Sequence, residues 1–528
     1  MKYIVGIMGL RKTFSLQSLL YSGSWLYSLL FSLFILIGCS SGYRAQPIEP
    51  PSAALEDAVQ GLEDDPSFAT TEYLPQDWWT IFEDDQLTEF IETALNNNPT
   101  LKTAHAKTLL AASSAQRVRA ILYPQIFYGA DVSRQKFSET GIIPFIAQSP
   151  STNAATGVVS PVTPASLTPI AAPGGSAGIP VYFTQWETDL ALSYDFDLWG
   201  KNRNTWAAAL NEVQANLADE AFARLQLSIN VARVYFKLQV DYKRQEIAQT
   251  YVENTQNIVS YYHRRIQGNL DNNLTLNSSE LSLSSAKQSL LIIQGDIAVN
   301  EDQLRAYLAG SFDEEICNTH VVDSPLPKVP LPSDIPLHLI SRRPDIIAQI
   351  WLIESAGKQI AVAKAGFYPD FNLAALFGFQ TIHLHELFKW PSTFFNIDPA
   401  VSLPIFDGGR LIANLRGSEV NYDLAIYKYN ELVLDAAKEV LDGIAVLRNA
   451  DQQQQEFTKA VTYQENLLRL NDQLIAGHLN SSLNSLTTRS NVFIARDQEA
   501  IAINRTIQAL LSLIKALGGG YDQKVCNE

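Results

Sequence analysis

Sulfur and histidine are scarce in this chain of 528 residues, which has two Met, three Cys and seven His. Met1 and Met8 both lie in the N-terminal apolar region, so no thioether cluster is available for soft ions such as copper or silver. The histidines are scattered, and the closest pair, His383-Leu384-His385, reads as a solvent-facing loop feature. HExxH, GxSxG, phosphate-binding-loop and CxxC spacings are all missing, which removes the common signatures of an enzyme. Charged residues make up only 18% of the chain, and 55 acidic against 39 basic side chains leave a net charge of −16. That balance excludes a nucleic-acid partner, which needs clustered Lys and Arg, and suits an acidic channel or surface. Beyond residue 38 there is no apolar stretch of roughly 18 residues or more, so any further membrane crossing must be made by β-strands.

What is present begins with an export signal. Lys2, Arg11 and Lys12 precede an apolar run that closes on Leu36-Ile37-Gly38-Cys39, a pattern similar to the bacterial lipobox, in which cleavage precedes a lipid-modified Cys. Cys39 is therefore expected to carry a covalent lipid, the only non-protein group expected. Ser40 supplies no Asp retention signal, which directs the chain to the outer membrane. Residues 1–38 read as signal peptide and 39–77 as an extended, Pro- and acid-rich tether. Cys317 and Cys526 remain, and in an exported protein they are free to pair or not.

The stretch from Tyr182 to Gly268 carries the architecture. Trp186, Thr188, Leu190, Leu192, Tyr194, Phe196 and Leu198 alternate with Gln185, Glu187, Asp189, Ala191, Ser193, Asp195 and Asp197. A period of two puts an apolar face on one side of a strand and an acidic face on the other. After Trp199-Gly200-Lys201 a helical period runs to Gly268, about 65 residues and on the order of 100 Å.

Around it, Asp85–Asn97 and Pro99–Leu122 read as helices and 125–137 as a strand. Between Thr140 and Trp186 there is no charged side chain, and this Pro-rich segment reads as a long hairpin loop. A return helix spans 274–308, followed by an irregular linker at 318–337. The chain then begins again. Asn98-Pro99 corresponds to Arg343-Pro344, Tyr123-Pro124 to Tyr368-Pro369, Gly200 to Gly409, Gly268 to Gly477, and Cys317 to Cys526. This is an internal duplication, with residues 78–317 as the first repeat and 338–528 as the second. The second repeat is expected to place strands at Phe371–Phe379 and Phe395–Ile405, a long helix over 409–477 and a return helix over 483–517.

Four strands cannot close a barrel, and bare sheet edges are not tolerated in lipid. Bacterial barrels begin at about eight strands, so the chain must oligomerise. The long helices carry two apolar stripes each: Phe222, Leu225, Ile229, Ala232 and Phe236 beside Leu227, Val231, Val234 and Leu238, with a copy in Val433, Ala437, Val440, Ile444 and Leu447. Two stripes require two neighbours, whereas a two-stranded coiled coil needs one.

From Trp78 to Gly520 the chain resembles the outer-membrane efflux channels of the TolC/OprM-like family, and in particular its lipidated NodT-type branch. The carriers are Trp78-Trp79, Asn98-Pro99, the run Tyr194-Asp195-Phe196-Asp197-Leu198-Trp199-Gly200-Lys201, Arg342-Arg343-Pro344-Asp345-Ile346, Phe367-Tyr368-Pro369, Leu403-Pro404-Ile405-Phe406-Asp407-Gly408-Gly409-Arg410 and Leu517-Gly518-Gly519-Gly520. The resemblance implies an α+β membrane protein in which four strands per chain join a shared twelve-stranded trimeric barrel above a periplasmic tunnel of long antiparallel helices. It implies a homotrimer that acts as a passive exit duct, docked to a periplasmic adaptor and an inner-membrane pump. It also implies docking tips at the helical bends, here Gly268 with Leu270 and Gly477 with Leu479. Family members commonly constrict the pore with a Leu and, four residues on, an Asp. The matching positions are Leu483 and Thr487, so the acid is missing or has moved, with Asp271 or Asp472 as replacements. Glu187, Asp189, Asp195 and Asp197 are expected to face the lumen and favour cations by field alone. The alternatives are a duct for type I protein secretion and a structural outer-membrane protein. The antiparallel pairs and the duplication speak against the second.

Overall fold

Gly200 and Gly409 turn the chain from sheet into its two longest helices with φ of 76° and 89°, a region that only glycine enters without a Cβ penalty. The computed structural model describes residues 45–48, 68–69, 74–136, 182–310, 329–330 and 342–521. The signal run with Cys39, most of the tether and linker, the loop over 137–181, Cys317 and Cys526 lie outside these residues. Pro47–Glu528 forms one unit, so the two repeats do not separate into bodies of their own.

The helices, in order, are α1 (Asp85–Asn97), α2 (Pro99–Ala120), α3 (Lys201–Gln267), α4 (Asn273–Tyr307), α5 (Pro344–Ala365), α6 (Arg410–Ala476) and α7 (Ser482–Ala516). The strands are β1 (Phe68–Ala69), β2 (Gln125–Lys136), β3 (Tyr182–Phe196), β4 (Val329–Pro330), β5 (Asp370–Thr381) and β6 (Thr393–Ser402). The duplicated helices match in length: α2 and α5 have 22 residues each, α3 and α6 have 67, and α4 and α7 have 35. β2, β3, β5 and β6 form one antiparallel sheet in chain order, while β1 pairs with β4 in parallel.

One expectation needs correction. The fourth strand ends at Ser402 and does not reach Leu403 or Ile405. Pro404 has no N–H for a ladder, and Asp407 turns back to cap the next helix.

Helix α3 packs against α1, α2, α4, α5 and α7, and α6 against α5 and α7. Of the two stripes of α3, Leu225, Leu227, Ile229, Val231, Ala232, Val234, Phe236 and Leu238 are buried and Phe222 is half-buried, while Val433, Ala437, Val440, Ile444 and Leu447 are buried on α6. The main core includes Trp78, Phe82, Leu87 and Ile91 together with Tyr235 and Phe236 of α3. Two of its polar groups are paired, Trp78 Nε1 donating to Ser228 Oγ at 3.1 Å and Tyr235 OH to Asp84 Oδ2 at 2.7 Å. Asp84 also caps α1 by accepting from Leu87 N.

Each repeat ties the end of its return helix to the start of its short helix. Asn98 Nδ2 donates to Tyr307 O at 2.9 Å while its Oδ1 caps α2. In the second repeat Arg343 does the equivalent job. It is 4% exposed, forks onto Asp345 at 3.1 and 2.8 Å, reaches Glu439 of α6 at 2.7 Å and donates to Ala516 O of α7 at 3.4 Å. Burial alone would lower its pKa. The hydrogen bonds and charge of Asp345, then Glu439, outweigh this and raise it.

Candidate functional site

The sheet register sorts its side chains into two chemical faces. One carries Ile126, Tyr128 and Val132 of β2, Trp186, Leu190, Leu192 and Tyr194 of β3, Phe371, Leu373 and Phe377 of β5, and Phe395, Ile397 and Val401 of β6. Among the described residues no helix covers it: Tyr128 is 72% and Phe395 76% exposed, and Ile126, Leu190, Phe377, Ile397 and Val401 are also open. Strands of 10 to 15 residues are long enough to cross a bilayer core, which takes about 9–11. Among the described residues neither β2 nor β6 has a partner on its outer side.

The opposite face carries Asp131, Glu187, Asp189, Asp195, Asp370 and Asp398 and no Lys or Arg. Glu187 sits opposite both Asp131 and Gln380, and its Oε2 accepts from Gln185 at 2.8 Å and Gln380 at 3.2 Å. Asp189 lies between Gly129 and Gly378. A Cβ on Gly129 would meet its Oδ1 at 2.7 Å, and one on Gly378 would meet Thr188 O at 2.4 Å. Both glycines are there because the carboxylate and the ladder leave no room for a side chain.

Asp197, expected among the lumen acids, leaves this row. β3 ends at Phe196, and the Asp197 carboxylate accepts from Asn202 N at 3.0 Å and Arg203 N at 2.9 Å, capping α3. Four free N–H groups at a helix start attract an acceptor more strongly than a strand position holds it. Asp407 does the same for α6, accepting from Gly409 N at 3.0 Å and Leu411 N at 2.9 Å. An aromatic cluster marks this junction: Trp199 stacks on Tyr368 with centroids 4.8 Å apart and donates to Pro369 O at 2.8 Å.

At the far ends of the long helices the two bends lie side by side. Asn254 Nδ2 of α3 donates to Leu486 O at 2.9 Å and Ser490 Oγ at 2.8 Å of α7, and Tyr261 OH lies 3.3 Å from Ser481 Oγ. Gly268 and Gly477 are the C-caps, but their φ values are ordinary, −86° and −81°. The left-handed residue is the next one, Asn269 or His478, each at φ 56°. Leu270 N then donates to Arg265 O and Leu479 N to Leu474 O, a Schellman closure. It leaves Leu270 68% and Leu479 77% exposed. Asn269 and His478 escaped sequence reading because each follows a Gly, the usual holder of that conformation.

Leu483 is half-buried, and Thr487 is exposed with its Oγ1 donating to Leu483 O at 2.9 Å. Asp271 accepts from Thr275 Oγ1 at 2.7 Å, Asn272 N at 3.0 Å and Arg265 Nε at 3.0 Å. The Thr275 hydroxyl, then the Asn272 amide and Arg265, hold its carboxyl below the ordinary value. Asp472 accepts from Ser485 Oγ. Both acids are therefore engaged within their own bends. Among the described residues no group of three or more His, Cys, Asp or Glu is placed to hold a metal, and no helix is long and apolar enough to cross a membrane.

Comparison with known proteins agrees with this geometry. The sequence pattern of the outer membrane efflux protein family matches residues 90–310 and 336–519. The multidrug resistance outer membrane protein MdtP of Escherichia coli K12 is 28% identical over 504 residues, covering 94% of this chain and 96% of its own. MdtQ of Escherichia coli O157:H7, also described as a multidrug resistance outer membrane protein, is 29% identical over 503 residues, covering 93% and 96%. Among solved structures, the outer membrane protein VceC of Vibrio cholerae aligns with a TM-score of 0.68 at 27% identity, covering 85% of this chain and 100% of its own. The outer membrane channel CmeC of Campylobacter jejuni, at 21% identity, shares the fold with a TM-score of 0.74, covering 92% and 95%.

Proposed function

Because the chain belongs to the outer membrane efflux protein family, a family of channels and not of enzymes, we propose that it is the passive exit duct of a tripartite efflux pump. It conducts small toxic compounds across the outer membrane. The observation that carries the reading is the four-stranded sheet with an uncovered apolar face, an opposite face that bears six acids and no Lys or Arg, and helices of 67 residues continuing from two of its strands. An uncovered face of Tyr, Phe, Ile and Val belongs in lipid, and the open edges of β2 and β6 demand partners there. Three copies supply twelve strands, within the range of closed bacterial barrels, and the unfilled edges of α4 and α6 then meet in a helical tunnel.

The duct contributes a path and a field. Its energy comes from an inner-membrane pump reached through a periplasmic adaptor, and the exposed Leu270 and Leu479 at the bends are the apolar contacts offered to that adaptor. A lipid on Cys39 anchors the tether, and loss of palmitate labelling in Cys39→Ala tests that anchor. Deletion of the protein should raise sensitivity to several chemically unrelated toxic compounds. Unchanged sensitivity across a broad panel, with failure to export one protein, would replace the efflux reading by type I secretion.

A further inference from the structure

The loop between β5 and β6, Ile382–Ser392, is built differently from a loosely solvated hairpin tip. Two short 3-10 turns, Leu384–Glu386 and Trp390–Ser392, fold it into a compact unit. Glu386 N donates to His383 O at 2.9 Å, Lys389 N to Glu386 O at 3.0 Å and Ser392 N to Lys389 O at 2.9 Å. Ser392 Oγ crosses back to Glu386 O at 2.8 Å, and Leu387 is buried. Such bonding would ordinarily bring the large apolar side chains inward. Instead Phe388 is 77% and Trp390 82% exposed, among the most open aromatics in the described chain.

The direction in which the loop folds is set by one contact. Phe388 meets Phe379 edge-on with centroids 5.6 Å apart. Phe379 stands on the uncovered apolar face, in the same row as Phe377, which packs edge-on against it at 6.1 Å. The loop therefore leans over that face, not over the acidic one, and extends its apolar surface beyond the last ladder pair, Phe379 with Thr393. The charged groups of the loop pair with each other, Lys389 Nζ reaching Glu386 Oε1 at 3.2 Å. The polar shell is thus kept local while the two rings project.

We propose that Ile382–Ser392 is an interfacial anchor that seats Phe388 and Trp390 in the outer lipid leaflet, fixing the height of the barrel in the membrane. This rests on the reading of the apolar sheet face as lipid-facing, and it is continuous with that surface. Aromatic side chains with one polar edge are favoured at the headgroup level, which is the chemistry Trp390 presents. The other candidate cover, a neighbouring copy of the chain, would shield the same rings from lipid.

The test uses the full-length protein in phosphatidylcholine vesicles, in a background with Cys317→Ala and Cys526→Ala. Phe388→Cys, Trp390→Cys, Phe395→Cys and His478→Cys are each labelled with bimane. The parent background is labelled in parallel to subtract any signal from Cys39. Lipids carrying a nitroxide near the headgroup should quench the labels at 388, 390 and 395 severalfold more than the label at 478. Quenching at 395 but not at 388 or 390 would overturn the anchor while leaving the membrane-facing sheet standing. Absence of quenching at all three would overturn both.

Discussion

Replacing Arg343 is expected to loosen the junction of α5, α6 and α7 without touching the sheet. Its guanidinium is buried between Asp345, Glu439 and the Ala516 carbonyl. Removing one partner of a buried ion pair costs about 3–5 kcal/mol, because the other charge is left uncompensated. The Glu439 side chain is 47% exposed, so water recovers it and its share is about 1 kcal/mol or less. The Asp345 side chain is only 13% exposed, and together with the Ala516 carbonyl it brings the expected loss for Arg343→Ala to about 3 kcal/mol. At about 1.4 kcal/mol per tenfold, local opening becomes roughly a hundredfold more frequent. Amide hydrogen exchange should report this in peptides covering the first turn of α5 and the last turn of α7, with β2 and β3 unchanged. Arg343→Lys keeps the charge but loses the fork, and should fall between. Wild-type exchange at both turns in Arg343→Ala would refute the assignment of this residue as the tie between them.

Three further outcomes follow from the same geometry. Gly520→Ala should destabilise strongly, since its φ is 77° and a Cβ would lie 2.2 Å from Pro75 O, whereas Gly268→Ala should be tolerated, its φ being ordinary and its nearest contact 3.5 Å; thermal unfolding of the two variants compares them. Asp271, whose carboxyl is held below its ordinary value first by Thr275, should keep its bend ordered above the ordinary carboxylate range and release it as pH falls through the lowered value. Limited proteolysis across residues 265–275 should show that dependence and lose it in Asp271→Asn. Glu187→Gln with Asp189→Asn should shift the reversal potential of bilayer-inserted channels toward weaker cation preference, and an unchanged potential would remove these acids from the conduction path.

The two periodicities were the legible part of the fold. Strict alternation from Trp186 to Phe196 and the long 3.6-residue pattern after Gly200 each follow from burial on a defined face, and burial is written into residue type. Helix lengths were legible because the duplication supplied a second copy of each boundary. End effects were not. Asp197 fits the alternation as well as Asp195 does, yet the unsatisfied N–H groups of α3 claim its carboxylate, a competition invisible to a period count. Leu403 and Ile405 likewise keep the rhythm of β6 after Pro404 and Asp407 have redirected the backbone. At the bends, Gly268 and Gly477 pointed to the right place but not to the strained residues, which are Asn269 and His478. The pairing of Asp271 with Thr275 and Arg265, and of Asp472 with Ser485, was likewise not legible, because it depends on how each bend closes.

The central claim is that four strands with two open edges are completed by identical copies. It is tested most directly by the mass of the protein extracted in mild detergent, measured by light scattering with the detergent contribution subtracted and with strand content checked by circular dichroism. Three chains per particle with the β signal intact are expected. A single chain with the same β signal would contradict the claim.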